Sequence, residues 1–438
     1  MPSFFIETFG CQMNKSDSEL MEISLESAGF TRAAASRKAD IVIFNTCSVR
    51  QNAEDRATAR IREARAHLPK GGVLVLAGCM AQRTGDAFLK KKWADIVVGP
   101  YQSPHVGELV KEIIGRKKSA LSVSQEPSAF IPRLDPALAE RAGETASHRW
   151  VTITHGCGNF CTYCIVPYVR GKLISFSSES ILSYIKKLSE KGIREVTLLG
   201  QNVNQYGQDN GDIPFYQLLE KTAQTAGIDR VNFLTSHPKD FCIDTIRVIK
   251  NNPNISRGIH LPLQSGSNDI LKRMNRQYTR EHYLSIIENI ERELSEYAVT
   301  TDLIVGFPGE TEKDFEDTLS LVKRVRFSDA FTYAYSPREG TAAAGLNDNI
   351  PHDEKIRRLN ELITVQREII SERRRERIGR TEQIIVECVN DKNSNDVVGK
   401  NILGQTVIFP GDASDPGTML NVRITGVKGA TLLGDACR

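Results

Sequence analysis

Residues 149–171 read RWVTITHGCGNFCTYCIVPYVRG, a short β-like run followed at once by Cys157, Cys161 and Cys164. The Cys-x-x-x-Cys-x-x-Cys spacing is the strongest chemical signal in the chain. Three clustered thiolates suit an iron–sulfur cluster, and three ligands rather than four leave one iron open to an exogenous ligand. The bland alternatives are three buried apolar thiols or a zinc knuckle. Zinc usually takes four ligands in paired Cys-x-x-Cys or Cys/His sets, and no matching second pair lies nearby.

Working outward, RWVTIT is the first of six strand candidates, followed by REVTLLG, RVNFLTS, GIHLPLQ, AVTTDLIVG and DAFTYAY. Helical patterns lie between them near 178–191, 213–226, 240–251, 267–274, 279–296 and 311–325. Six β/α units are too few for a full barrel and predict a partial (β/α)6 barrel over 148–350.

Upstream, FFIETFG ends at Cys11, ADIVIFNT at Cys47 and GVLVLAG at Cys79, with helices predicted near 16–28 and 52–66 and a fourth strand at ADIVVGP. This alternation predicts an open parallel α/β domain over 1–115, with helices on both faces. The C-terminal ends of parallel strands share one edge, where open α/β folds bind ligands. Turns entering helices there supply backbone N–H groups that favour thiolate charge. Three cysteines in equivalent places therefore suggest a second ligand set, although a lone Cys after a strand is usually a small buried hydrophobe. Cys242, Cys388 and Cys437 lack partners at ligand spacing.

Residues 116–147 mix Gly, Ser, Pro and charge without periodicity, as a linker does. Residues 351–380 predict a charged connecting helix ending in SERRRERIGR, and five short β-like runs follow over 381–438. A small OB-like barrel, of the kind that binds oligonucleotides, is the natural reading. Arg373, Arg374, Arg375 and Arg377 are either a solvated helix face or phosphate contacts, and Lys400, Arg423 and Lys428 are weaker candidates of the same kind.

The 438 residues exceed what one core supports, and 40% apolar with 25% charged residues are ordinary for a folded soluble chain. No signal peptide or membrane-spanning stretch is visible. Lys+Arg 57 against Asp+Glu 54 gives a net charge of only +3, so any nucleic-acid partner is held by local patches. Nine cysteines without a signal peptide fit a reducing, cytoplasmic compartment.

At the Cys157 motif the chain resembles the radical S-adenosylmethionine superfamily. Together with TFGCQMNKSDSE, NTCSVRQNAED and AGCMAQ around the other triad, the resemblance extends over nearly the whole chain to the methylthiotransferase family. The family's three domains are an N-terminal cluster domain, a radical barrel and a C-terminal TRAM domain. The resemblance implies two 4Fe-4S clusters, one on Cys11, Cys47 and Cys79 and one on Cys157, Cys161 and Cys164, with S-adenosylmethionine on the latter. It further implies that Tyr163 packs near the adenine of S-adenosylmethionine, and that Gly200, Gln201, Asn202, Ser236, Gln264 and Ser265 border its pocket. Read alone, Tyr163 has ordinary core packing as its alternative role, and the others are equally strand-end hydrogen-bond partners.

Gln12-Met13-Asn14 and Leu198–Asn204 look like the branch that methylthiolates isopentenylated adenosine 37 in tRNA. Supporting matches are Thr235–Pro238, HLPLQSGSNDILKRMNRQYTRE from His260, TDLIVGFPGET from Thr301 and YSPREGT from Tyr335. In the family, one S-adenosylmethionine methylates sulfur at the N-terminal cluster, and a second yields the radical that takes hydrogen from carbon 2 of the flipped-out base. The implied partners are the tRNA anticodon stem-loop, an electron donor protein and a sulfur source, with no membrane. Rival readings are a relative acting on threonylcarbamoyladenosine or on a ribosomal protein aspartate, and a non-catalytic metal-containing RNA-binding protein. Two departures stand out: Phe176 and Gln405 occupy places where the family commonly has Arg. His155, His237 and His260 fall near strand ends and read as satisfied inward-facing side chains.

Overall fold

The computed structural model describes residues 1–48, 51–116, 120–123, 139–140, 147–411 and 416–437. Most of the expected linker at 116–147 lies outside the described residues. Two compact units emerge. The first comprises Met1–Arg141, Thr154–Phe160 and Cys164–Phe176; the second comprises Ala142–Ile153, Cys161–Tyr163 and Ser177–Arg438.

The first unit is built on six parallel strands, β1 (Ser3–Thr8), β2 (Thr31–Arg32), β3 (Ile41–Thr46), β4 (Val73–Gly78), β5 (Ile96–Val98) and β6 (Ala120–Ser122), in the order β2-β1-β3-β4-β5-β6. Both faces are covered, as the apolar runs predict. Phe4, Ile41, Ile43, Val73 and Val75 pack with Met21, Leu25, Val106 and Val110 on one side. Val42, Phe44, Leu74 and Leu76 pack with Ala57, Ile61, Met80 and Phe88 on the other. The four expected strands are present. The sequence reading missed β2 and β6, which are two and three residues long and sit at the sheet edges, too short to carry a periodicity.

The second unit opens with β7 (His148–Thr152). The chain then returns to the first unit for an antiparallel pair, β8 (Thr154–His155) and β9 (Ile174–Ser175). The remaining barrel strands are β10 (Glu195–Leu199), β11 (Arg230–Leu234), β12 (Gly258–His260), β13 (Ala298–Val305) and β14 (Asp329–Ala334). They form two parallel triplets, β7-β10-β11 and β12-β13-β14, joined by the bridge Val231 to Ile255 and by Ser236 N–H donating to the His260 carbonyl. All six expected strands and all six expected helices are present. Their helix starts are locally encoded: Ser177, Ser267, Thr279 and Thr311 each accept a backbone N–H at an N-cap, and Thr311 with Asp314 completes a capping box.

The connecting helix runs His352–Arg375. Five strands follow, β15 (Thr381–Asn390), β16 (Asn393–Lys400), β17 (Thr406–Pro410), β18 (Met419–Lys428) and β19 (Thr431–Ala436), closed in the order β15-β16-β17-β19-β18. Ile384, Val386, Val397, Val407, Phe409, Val422, Ile424 and Leu432 fill its interior. This closed barrel sits against the N-terminal ends of β11 and β12. Arg230 Nη1 donates to the Lys400 and Asn401 carbonyls, and Arg257 N–H donates to the Ile402 carbonyl.

Candidate functional site

In the first unit, β1, β3 and β4 are sheet neighbours, so the loops after them share one edge, which carries Cys11, Cys47 and Cys79. The strand order reverses between β1 and β3, the kind of switch point where open α/β sheets bind ligands. Cys11 is exposed, Cys47 and Cys79 are buried, and none is in a disulfide. The loops approach closely. At Gly10, which has φ +134°, an added Cβ would stand 2.6 Å from Cys47 Cβ and 2.7 Å from Asn14 Oδ1. Asn14 and Asn45 lock the helix after Cys11 to the end of β3: Asn14 Nδ2 donates to Asn45 Oδ1 at 3.1 Å, and Asn45 Nδ2 donates to the Asn14 carbonyl at 2.7 Å.

Burial pushes the Cys79 thiol up to about 12; nearby Arg170 opposes the rise, and Cys47 and Cys11 add to it. As a bare thiol, Cys79 therefore resists ionisation, and a bound metal group is what would make a thiolate of it. Thiol donors on three adjacent strand ends fit an iron–sulfur cluster. Among the described residues, no three His, Cys, Asp or Glu side chains converge closely enough to hold a single metal ion.

Of the second triad, Cys157 and Cys164 belong to the first unit. Cys157 N–H donates to the Gly171 carbonyl at 3.2 Å, and Gly156, at φ +69°, would drive a Cβ to 2.0 Å from the Lys172 carbonyl. The turn before Cys157 therefore tolerates only glycine. His155 is buried and its pKa is lowered to about 3, by burial first and by Arg170 second, so it is neutral. Phe176, the first expected departure, is a core aromatic: it is buried and stacks on His155 at 5.9 Å.

Cys161 and Tyr163 belong to the second unit, where one side chain organises them. Arg276 is buried and its Nη1 donates to Cys161 Sγ and to the Tyr163 hydroxyl, both at 3.3 Å. Its Nη2 donates to the Pro262 carbonyl at 2.8 Å and its Nε to the Tyr278 hydroxyl at 3.1 Å. Sequence reasoning missed Arg276. Its signal was one Arg within the HLPLQSGSNDILKRMNRQYTRE stretch, with nothing local to say that it turns inward.

The remaining pocket candidates cluster at the ends of β10, β11 and β12. Gly200, Asn202, Ser236, Gln264 and Ser265 are buried. Asn202 Nδ2 donates to Asp240 Oδ2 at 2.7 Å, and its Oδ1 caps Asn204 N–H. Ser265 Oγ accepts the Ser267 N–H at 3.2 Å and meets Thr318 Oγ1 at 3.4 Å, so this hydroxyl is already engaged. Gln264 and Thr235 sit at φ +72° and +71°, a costly left-handed conformation for residues with a side chain, of a kind that clusters at ligand sites. Gln201 Oε1, Ser236 Oγ and Asn204 Nδ2 are buried without a hydrogen-bond partner. Such unsatisfied polar atoms at strand ends fit a polar ligand. His237 is neutral, its pKa lowered to about 2 by burial, with Arg276 and Lys239 adding to the effect. His260 is held between Thr300 Oγ1 at 3.0 Å and Asp302 at 3.5 Å.

The basic candidates divide by exposure. Arg374 is buried and its Nε donates to the Ala430 carbonyl; Arg377 is buried and pairs with Glu382 and Glu296. Arg373 donates to the Arg326 carbonyl, and Lys400 pairs with Glu387 at 2.7 Å. Arg375 and Arg423 are exposed, and Arg375 lines a cavity of about 640 Å³ between the connecting helix, β14 and the β18–β19 turn. Gln405 is buried and accepts from Asn401 Nδ2, so the second departure lies inside a turn.

The chain matches the radical SAM superfamily over residues 151–322, the uncharacterized protein family UPF0004 over 3–99 and the TRAM domain over 375–437. It is 42% identical to a tRNA-2-methylthio-N(6)-dimethylallyladenosine synthase of Clostridium botulinum, covering 99% of this chain and 96% of that one. It is 40% identical to the enzyme of the same name from Thermoanaerobacter pseudethanolicus, covering 99% and 92%. Among solved structures, the fold resembles the radical S-adenosylmethionine methyltransferase TsrM of Kitasatospora setae, with a TM-score of 0.56 at 12% identity over 78% of this chain and 77% of that one. Among the described residues, no helix is long and apolar enough to cross a membrane.

Proposed function

The chain belongs to the family of tRNA-2-methylthio-N(6)-dimethylallyladenosine synthases, radical S-adenosylmethionine enzymes, and on that premise we propose how its residues serve the methylthiolation of N6-isopentenyladenosine 37 in tRNA. When bound, the two 4Fe-4S clusters and S-adenosylmethionine would supply the methyl-transfer, sulfur-transfer and radical chemistry that the modification at carbon 2 of the base needs.

The protein's share is to hold and orient. Cys11, Cys47 and Cys79 would ligate one cluster at the open sheet edge, and Cys157, Cys161 and Cys164 would ligate the other. Tyr163, fixed by Arg276, would pack near the adenine of S-adenosylmethionine. Gly200, Gln201, Asn202, Ser236, Gln264 and Ser265 border its pocket, with the unpartnered Gln201 Oε1 and Ser236 Oγ as the atoms that meet it and Ser265 as a turn support. The division of labour follows the expected segments: 1–115 for the first cluster, 148–350 for radical chemistry, 351–380 as connector and 381–438 for RNA. Arg375 and Arg423 are the exposed cations that meet phosphate. An electron donor protein and a sulfur source complete the system, in the cytoplasm.

The observation that carries this reading is the placement of three thiols on three adjacent strand ends in a chain that matches its relatives from end to end. Mass spectrometry of tRNA nucleosides from a deletion strain tests it. Loss of 2-methylthio-N6-isopentenyladenosine, with its precursor accumulating and restored by the gene, is expected; loss of the threonylcarbamoyl product instead would overturn it.

A further inference from the structure

Among the side chains that the proposed function leaves without a role, Arg170 is the most constrained. It ends the short helix Val166–Arg170, which follows Cys164, and its side chain is 2% exposed. A guanidinium that deep is costly unless each N–H finds an acceptor. Arg170 Nη2 donates to Asp17 Oδ2 at 2.6 Å, and Asp17 is buried on the helix that follows Cys11. Arg170 Nε donates to Cys79 Sγ at 3.2 Å. Its carbonyl accepts from the Tyr101 hydroxyl, which fixes the backbone behind it. Nη1 has no hydrogen-bond partner.

Among the described residues, Asp17 is the carboxylate paired with Arg170, so neutralisation does not explain why a second N–H is spent on a thiol, a weak acceptor, or why a third is left unmet. A cluster ligated by thiolates explains both. It is rich in sulfur acceptors, and its potential responds to hydrogen bonds and charge placed at those sulfurs.

We propose that Arg170 is a positioning residue of the Cys11/Cys47/Cys79 cluster: anchored by Asp17, it holds the Cys79 sulfur through Nε and presents Nη1 as a second donor to the same anionic group. The stretch that carries one cysteine motif thereby supplies a donor to the other. A cation fixed beside the cluster favours the more negative, reduced state and raises the midpoint potential. The inference rests on the assignment of those three cysteines as ligands.

The test uses the full chain with Cys157, Cys161 and Cys164 replaced by Ala, so that only this cluster remains, and compares R170M and R170K by iron content and potentiometric titration. The R170M variant should shift the midpoint to lower potential. The R170K variant, which keeps the charge but not the planar pair of donors, should fall between R170M and the background protein. Loss of iron from folded R170M that R170K restores would also support the proposal. Iron-replete R170M with an unchanged potential would overturn it; if R170M does not fold, an unchanged potential in R170K does so alone. Failure of the ligand assignment itself is distinguishable, because the background protein would then bind no iron before Arg170 is touched.

Discussion

Arg276 donates from a single nitrogen to both the Cys161 sulfur and the Tyr163 hydroxyl, each at 3.3 Å. A residue proposed to bind metal and one proposed to face S-adenosylmethionine are thus fixed relative to each other before either ligand arrives. Preorganisation of this kind removes an ordering cost from binding. The guanidinium is itself held by the Pro262 carbonyl and the Tyr278 hydroxyl, and Tyr278 donates in turn to the Leu263 carbonyl at 2.5 Å. The clamp is therefore anchored in the segment that leads from β12 to Gln264.

Replacing Arg276 by Met should leave several buried acceptors unmet, at about 1–3 kcal/mol for each one left unsatisfied. Denaturant titration should show a lower midpoint. In protein lacking Cys11, Cys47 and Cys79, cleavage of S-adenosylmethionine should fall at least tenfold, the equivalent of about 1.4 kcal/mol in the barrier. Wild-type cleavage by the Met variant would show that the clamp is dispensable.

The two cysteine sets should be separable. Anaerobically reconstituted protein is expected to carry about eight irons per chain, four for each triad. Replacing Cys11, Cys47 and Cys79 by Ala should leave about four and preserve reductive cleavage of S-adenosylmethionine. Replacing Cys157, Cys161 and Cys164 should abolish cleavage. Iron analysis together with 5′-deoxyadenosine measurement checks both halves, and the reverse pattern would exchange the assignments.

These sites were unequally legible in the sequence. Cys11, Cys47 and Cys79 announced themselves because each ends an apolar run, and parallel pairing brings such ends to one edge whatever their separation along the chain. Gly10 and Gly156 carry close approaches that only the folded loops reveal. Arg170 and Arg276 escaped for a different reason: an arginine in a strand-and-helix pattern ordinarily reads as surface, and its partners Asp17 and Cys161 lie far away in sequence. The same limit applies to the SERRRERIGR run. Helical geometry places Arg374 on a buried turn beside exposed Arg375, a distinction that composition does not contain. Nor does local sequence show that the β8–β9 pair and the Arg170–Asp17 contact draw Thr154–Phe160 and Cys164–Phe176 into the first unit.

Substrate choice is expected to depend on the prenyl group. tRNA lacking the isopentenyl modification should be a poor substrate, because an apolar subsite left unfilled loses binding and misplaces the base. Single-turnover assays with modified and unmodified anticodon stem-loops compare the two directly. Equal turnover would show that the prenyl group is not read.

The last prediction separates arginines that hold the fold from those that meet RNA. Arg377 is buried between Glu382 and Glu296. Removing it leaves buried Glu382 without its cation, while Glu296 keeps Arg380 at 3.6 Å, and breaking a buried pair this way costs about 3–5 kcal/mol. The R377M variant should therefore unfold at markedly lower denaturant. Arg375 and Arg423 are exposed, so R375A/R423A should leave that midpoint unchanged. If both touch phosphate, the slope of log affinity for tRNA against log salt should flatten by about 0.7–0.9 for each phosphate no longer neutralised, because fewer counterions are released on binding. Affinity alone does not discriminate, since a partly unfolded protein also binds weakly. A double variant with wild-type stability and an unchanged salt slope would remove both residues from the RNA interface and leave tRNA held by other cations.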